Sequence, residues 1–349
     1  MNGKTLLRID MERGGGVDLL AVVGLYVAGV IGAGFASGQE LVVFFVRYGW
    51  GGFAGIFLAL AILTSTVVLV LEFCSWHGVS SYDNLFATLS PRSAMFFDWA
   101  YTLFLLIGVS VMLAGAGAMG VVSRLAMAFL VWLVLQRGVL AVLEISGLLA
   151  VAMVVVLVTI SLYRLRLEPF TLPQAGSWRG LEAAVLYASY NLGFSMAVLA
   201  STHQVLKRPQ ERWAVAIFGN LILGVLLFLL FFSLNTLSPQ QLKDPFPSQH
   251  LAGSLGPVMV QVYRLILWVA MYTTALANSL ALVTRFTESA KLGWSRASLV
   301  IIAVAIGLSY AGFNTLIRVA YPLLGLAGLC MLGNLLAQRR RQPPAFPVL

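Results

Sequence analysis

The sequence predicts an all-α polytopic membrane protein of about ten transmembrane helices, arranged as a five-plus-five inverted repeat with helices 1 and 6 discontinuous. Three observations predict it. Of 349 residues, 60% are hydrophobic and only 10% charged, with a mean hydropathy of +0.92, whereas soluble domains carry about 25% charged residues. The first apolar stretch holds three glycines, an amide and a carboxylate at its middle, in Gly32-Ala33-Gly34-Phe35-Ala36-Ser37-Gly38-Gln39-Glu40. A later one is interrupted at Ser189-Tyr190-Asn191-Leu192-Gly193-Phe194-Ser195, and an offset of 159 residues carries Gly34 onto Gly193.

The chain opens with a basic tail, Met1 to Gly16, too polar for a cleavable signal peptide. Val17 to Tyr48 form the first span, because the apolar runs around the glycines together exceed the roughly 20 helical residues a bilayer requires. Glycine inside a helix costs roughly 1 kcal/mol against alanine, and a cluster frees the backbone from helical φ/ψ. Gly34 is expected to take such a conformation. Bare backbone at membrane depth is tolerated only inside protein or along a wet cavity. The break therefore predicts two half-helix ends facing a cavity, a site for a small charged solute. A glycine-rich packing face is the alternative.

Trp50-Gly51-Gly52 reads as a turn before the second span, Phe53 to Phe73, and Ser75 to Ser93 as a polar loop with a short surface helix. Spans three to five are Ala94 to Met119, Val121 to Leu135 and Leu140 to Tyr163. Pro169 and Pro173 make Arg164 to Trp178 a loop. Gly180 to Leu206 is the interrupted sixth span and Arg212 to Leu234 the seventh. A loop with Pro239, Pro245 and Pro247 precedes spans eight to ten: Pro257 to Phe286, Ser298 to Ala311 and Asn314 to Ala337. The offset of 159 also carries Asp98, opening span three, onto Pro257, opening span eight. Five spans repeated as five force an inverted second copy. The expected organisation is an N-terminal tail (1–16), a first repeat (17–163), an outer linker (164–179), a second repeat (180–337) and a C-terminal tail (338–349).

Charge sets the expected orientation. With the N-terminus inside, 14 lysines and arginines fall on the cytoplasmic side and 8 on the other, which places both termini in the cytoplasm of a bacterial cell. Trp50, Trp99, Trp178, Trp213 and Trp294 sit near span ends, as in an aromatic belt. The net charge of +9 is spread over short loops, which argues against nucleic acid as a partner. Cys74 and Cys330 make no disulfide or metal framework, and His77, His203 and His250 are not spaced for a metal.

An ionisable residue inside a membrane marks function by default. Glu40 is thus either a coupling carboxylate or a structural acceptor for freed backbone N–H groups, while Gln39 and Glu72 read as structural. Arg124 and Arg264 read as snorkelling cations. Asn278 and Ser279 are expected to join helices by hydrogen bonds.

At Gly32-Ala33-Gly34-Phe35-Ala36-Ser37-Gly38-Gln39-Glu40 the sequence resembles the YkvI-type amino-acid permeases. Through them it resembles the amino acid–polyamine–organocation superfamily, with the fold of the bacterial leucine transporter, over nearly the whole chain. The resemblance implies that the two breaks hold the carboxylate and ammonium of a solute. Gly32, Ala33, Gly34, Phe35, Ala36 and Ser37 would contribute from the first helix. Tyr190, Asn191, Gly193, Phe194 and Ser195 would contribute from the sixth, with Phe194 capping the pocket. It further implies a sodium ion between the eighth helix and the first. Ala270, Thr273 and Thr274 match the carbonyl-and-two-hydroxyls spacing on one helix face, and Ala28 and Ile31 would supply carbonyls. A lysine on the fifth span replaces the ion in proton-coupled relatives, and Leu140 to Tyr163 has none. The alternative is that both threonines back-bond to their own helix.

The expected function is secondary transport of an amino acid or similar small zwitterion by alternating access, coupled to sodium, with no cofactor besides that ion. The alternatives are a proton-coupled permease and a nutrient receptor on the same fold, like the spore-germination permeases. A membrane-embedded enzyme is disfavoured, because no histidine, cysteine or serine constellation meets in an expected pocket.

Overall fold

A computed structural model describes residues 16–79, 85, 88, 94–137, 140–169, 175–202, 205, 206, 208–289 and 293–341. These residues form thirteen α-helices and two short 3-10 turns. Most of the Ser75 to Ser93 loop with its surface helix, both expected tails apart from their helix-proximal residues, and His203 lie outside the described residues, as do the side chains of Glu144 and Phe194.

The first expected span is three helices: α1 (Gly16–Val30), α2 (Ala33–Ser37) and α3 (Gln39–Phe44). The other nine each have one helical counterpart. These are α4 (Trp50–His77), α5 (Ala94–Ala118), α6 (Val121–Arg137), α7 (Leu140–Leu167), α8 (Arg179–Thr202) and α9 (Pro209–Leu234), then α11 (Pro257–Ser289), α12 (Trp294–Ser309) and α13 (Phe313–Arg341). A short helix, α10 (Pro247–Gly253), opens at a proline in its first turn. Five of the helices are long and apolar enough to cross a membrane, and α1, α6 and α12 hold shorter apolar segments. The five tryptophans at span ends are all exposed.

The expected turn at Trp50-Gly51-Gly52 comes earlier, at Phe45 to Gly49, where Gly49 has φ +52. Gly51 and Gly52 already belong to α4 and serve close packing. A Cβ at Gly51 would overlap the Ser177 carbonyl, and one at Gly55 would come within 2.8 Å of the Gly180 carbonyl. At its other face α8 meets α13, where a Cβ at Gly325 would come within 2.8 Å of Leu186 O and one at Gly328 would overlap Ser189 O. Small residues let membrane helices approach backbone to backbone. So α8 is clamped along its length between α4 and α13.

That clamp coincides with the main departure from expectation. The helix α8 is continuous from Arg179 to Thr202, straight through the stretch expected to interrupt it. Its polar side chains turn back on the helix: Ser189 Oγ donates to Val185 O (2.7 Å), Asn191 Nδ2 to Tyr187 O (2.9 Å) and Ser195 Oγ to Asn191 O (2.9 Å). Hydroxyls and amides that bond i−4 carbonyls stay inside a helix without opening it. Gly193 packs on α5, where a Cβ would lie 3.2 Å from the Phe104 ring. Of the two expected discontinuities, only the first is present.

Candidate functional site

The first discontinuity falls at Ile31 and Gly32. Ile31 N–H still bonds Val27 O, but Gly32 N–H reaches only Val30 O (2.9 Å), and Gly32 is extended at φ −81, ψ 178. It N-caps α2 with no side-chain cap. Every residue from Ala33 to Glu40 is buried, while Gly32 is partly open, and a Cβ there would meet nothing within 4 Å. Free space at the break therefore lies beside Gly32.

Past it the chain is tightly held. Ser37 Oγ donates to Gly34 O (2.7 Å) and accepts from Gln39 N–H (3.1 Å), which staples α2 to α3. Between them Gly38 has φ +85, a left-handed conformation that favours glycine. Tyr263 of α11 donates to Ala36 O (3.0 Å). Gln39 Nε2 donates to Leu242 O (3.4 Å) and Asp244 O, so the amide anchors α3 to the loop before α10, a structural role as expected. A Cβ at Gly38 would lie 2.7 Å from Ser248 Oγ. The loop and α10 thus cover this end of the broken helix.

Glu40 turns back from α3 over α2. Its side chain occupies the space a Cβ at Gly34 would take. Gly34 is therefore glycine to make room for the carboxylate and has helical conformation, contrary to the expectation of a non-helical backbone. Tyr190 Oη donates to Glu40 Oε2 (2.6 Å), and Phe35 N–H also donates to the carboxylate. The surround is aromatic: the Tyr190 ring lies tilted at 5.3 Å from Phe44 and 5.0 Å from Tyr321 of α13, and edge-on at 5.5 Å from Tyr187. Glu40 is 3% exposed, and none of the three ion pairs among the described residues involves it. A buried carboxylate without a cation depends on hydrogen-bond donors, and here the donors come from α2 and α8. Glu40 ties the broken segment to the clamped helix.

Of the sixth-helix residues expected at the site, Tyr190 alone is described in contact with the first-helix segment. Asn191 and Ser195 bond their own helix and Gly193 faces α5. The expectations missed Tyr187, Tyr321, Tyr263 and the α10 cover. A signal existed for two of them: Tyr187 and Tyr190 share a helix face at i, i+3, and Tyr321 precedes the in-helix Pro322.

At the expected sodium site, Thr273 Oγ1 and Thr274 Oγ1 both donate to Ala270 O, at 3.1 and 2.9 Å. Three neutral oxygens converge, in the back-bonded arrangement of isolated membrane threonines. Ala28 and Ile31 line a groove of about 370 Å³ with Val151, Val154 and Val155 of α7 and Ile222 of α9. Asn278 Nδ2 and Ser279 Oγ have no hydrogen-bond partner among the described residues, so they do not join helices as expected; a Cβ at Gly108 would overlap the Asn278 amide.

A helical bundle with a broken first helix defines the class: a multi-pass membrane protein with the leucine-transporter fold. The structural neighbours have that fold. Mhp1, a nucleobase-cation-symport-1 family transporter in a closed conformation with bromovinylhydantoin bound, superposes with a TM-score of 0.62 at 12% identity, over 93% of this chain and 80% of that one. MhsT in complex with L-phenylalanine gives 0.60 at 15% identity, over 93% and 92%. A manganese transporter of Eremococcus coleocola gives 0.56 at 14%, over 91% and 78%. In sequence, the chain is a homologue of the uncharacterized membrane protein YkvI of Bacillus subtilis, 29% identical over 343 residues, 94% of this chain and 98% of the relative. The uncharacterized protein YyaD of the same organism is 24% identical over 326 residues, 89% and 94% of the two chains. No protein-family model matches the chain. The resemblance to YkvI-type membrane proteins stands, and Mhp1 and the manganese transporter among the structural neighbours are membrane transporters.

Proposed function

We propose that the protein is a secondary transporter that carries an amino acid or similar small zwitterion across the bacterial plasma membrane by alternating access. The observation that carries this reading is the broken first helix, with free space beside Gly32 and the far end of the break covered by α10. Small-solute binding on the same fold, bromovinylhydantoin in Mhp1 and L-phenylalanine in MhsT, supports it. A five-plus-five inverted repeat is supported by the packing, in which α4 lies against α9 and α5 against α11, each helix touching its own counterpart. Both termini are then cytoplasmic. The solute's charged groups bind the backbone of Gly32 to Ser37.

Sodium is the proposed coupling ion, held by Ala270 O, Thr273 Oγ1 and Thr274 Oγ1, with Ala28 and Ile31 carbonyls from the first helix. The convergence of three uncharged oxygens favours a hard cation. A second reading, coupling to a proton, is favoured by Glu40, a carboxylate inside the membrane without an ion-pair partner among the described residues. The experiment is uptake of a radiolabelled amino-acid panel into proteoliposomes under sodium or proton gradients. Saturable, sodium-driven uptake that is lost in Thr273→Val with Thr274→Val supports the first reading. Uptake driven by a proton gradient alone supports the second. Solute binding without flux would replace both with a receptor.

A further inference from the structure

Arg124 was expected to snorkel to the membrane surface, and the structure places it otherwise. It stands at the fourth position of α6 with 8% exposure, and its Nε and Nη1 are buried with no hydrogen-bond partner among the described residues. None of the three ion pairs among those residues includes it. The guanidinium carbon lies 4.2 Å from the ring centroid of Tyr310, at the end of α12, and a Cβ at Gly117 of α5 would overlap the guanidinium. A ring face and the carbonyl end of α5 favour a cation there, but neither accepts the buried N–H groups. The arginine also sits in the opening turns of α6, where the helix already carries partial positive charge. An unpaired buried charge is costly inside a membrane protein. The corner lacks an anion.

Its flank names the kind of anion. Val121, Val122 and Leu125, on the same turns of α6, are 62%, 81% and 51% exposed, and Tyr310 is 66% exposed. A soluble anion gains nothing from such a surface, whereas a lipid covers it with acyl chain. We propose that the corner between α5 and α6 binds an anionic phospholipid. Arg124 forks onto the phosphate oxygens as the Tyr310 ring moves aside, and the acyl chains lie along Val121, Val122 and Leu125. This site is separate from the break at Gly32 and holds whichever solute the break takes.

The test is native mass spectrometry of the full chain in detergent, titrated with phosphatidylglycerol, phosphatidylcholine and inorganic phosphate. One phosphatidylglycerol is expected to bind in preference to phosphatidylcholine. Arg124→Gln is expected to weaken it by about tenfold, the scale of one lost charge-assisted contact. Arg318→Gln, at an exposed arginine of α13, is expected to leave it unchanged. Should Arg124→Gln fail to fold, Gly117→Ala keeps the charge but displaces the guanidinium, and is expected to weaken binding as well. Three results overturn the proposal: equal binding of the two lipids, displacement of phosphatidylglycerol by equimolar inorganic phosphate, or binding unchanged in whichever of the two variants folds.

Discussion

Gly34, Glu40 and Tyr190 form one unit: the glycine leaves a space, the carboxylate fills it, and the tyrosine holds the carboxylate there. Gly34→Ala forces Glu40 out of its place, and the expected cost is about 1–3 kcal/mol, that of stranding buried polar groups. Thermal unfolding in detergent measures it. Tyr190→Phe and Glu40→Gln act on one hydrogen bond, so a double-mutant cycle should return a coupling of about 0.5–3 kcal/mol; additive effects would mean the contact contributes nothing. The pH profile of uptake separates the two roles of Glu40. If the carboxylate carries a proton, Glu40→Gln flattens the profile; if it only fastens α2 to α8, the profile survives in the less stable protein. Controls need equal care. Gly325 looks remote in the sequence yet packs against Leu186 O, whereas Gly333 has nothing within 4 Å and is the neutral comparison.

Among the elements, the first break was legible and the second was not, for a physical reason. Both stretches combine glycine with polar residues. In the first, Gly32 is extended and Gly38 has positive φ, so the backbone itself departs from the helix. In the second, Ser189, Asn191 and Ser195 each find an acceptor one turn back on α8, and Gly193 serves contact with Phe104. Sequence pattern cannot distinguish a glycine needed for conformation from one needed for approach; the neighbours decide, and they come from α4, α5 and α13. The difference is measurable. Gly38→Ala meets both a left-handed backbone and Ser248 Oγ, and is expected to cost about 1–3 kcal/mol. Gly193→Ala gains helix propensity against a tight ring contact and should stay within about 1 kcal/mol of wild type. Thermal melts of the two variants should therefore separate clearly.

For the whole molecule, ten apolar stretches were readable because a bilayer demands long runs with few charges, and every one has a helical counterpart. What encloses the break was not readable. Tyr263, Tyr321 and the α10 cover arrive from distant parts of the chain, and no local pattern announces where they meet. The central claim is that the space beside Gly32 is where the solute binds. Gly32→Leu tests it most directly, because Gly32 has a backbone any residue adopts and a Cβ there meets nothing within 4 Å. The substitution is expected to fill the space and leave the fold intact. Measured beside wild type and Gly333→Leu in proteoliposomes, with melting temperature as the folding check, Gly32→Leu should melt like wild type and lose solute uptake. Unchanged uptake in a normally folded Gly32→Leu would contradict the claim.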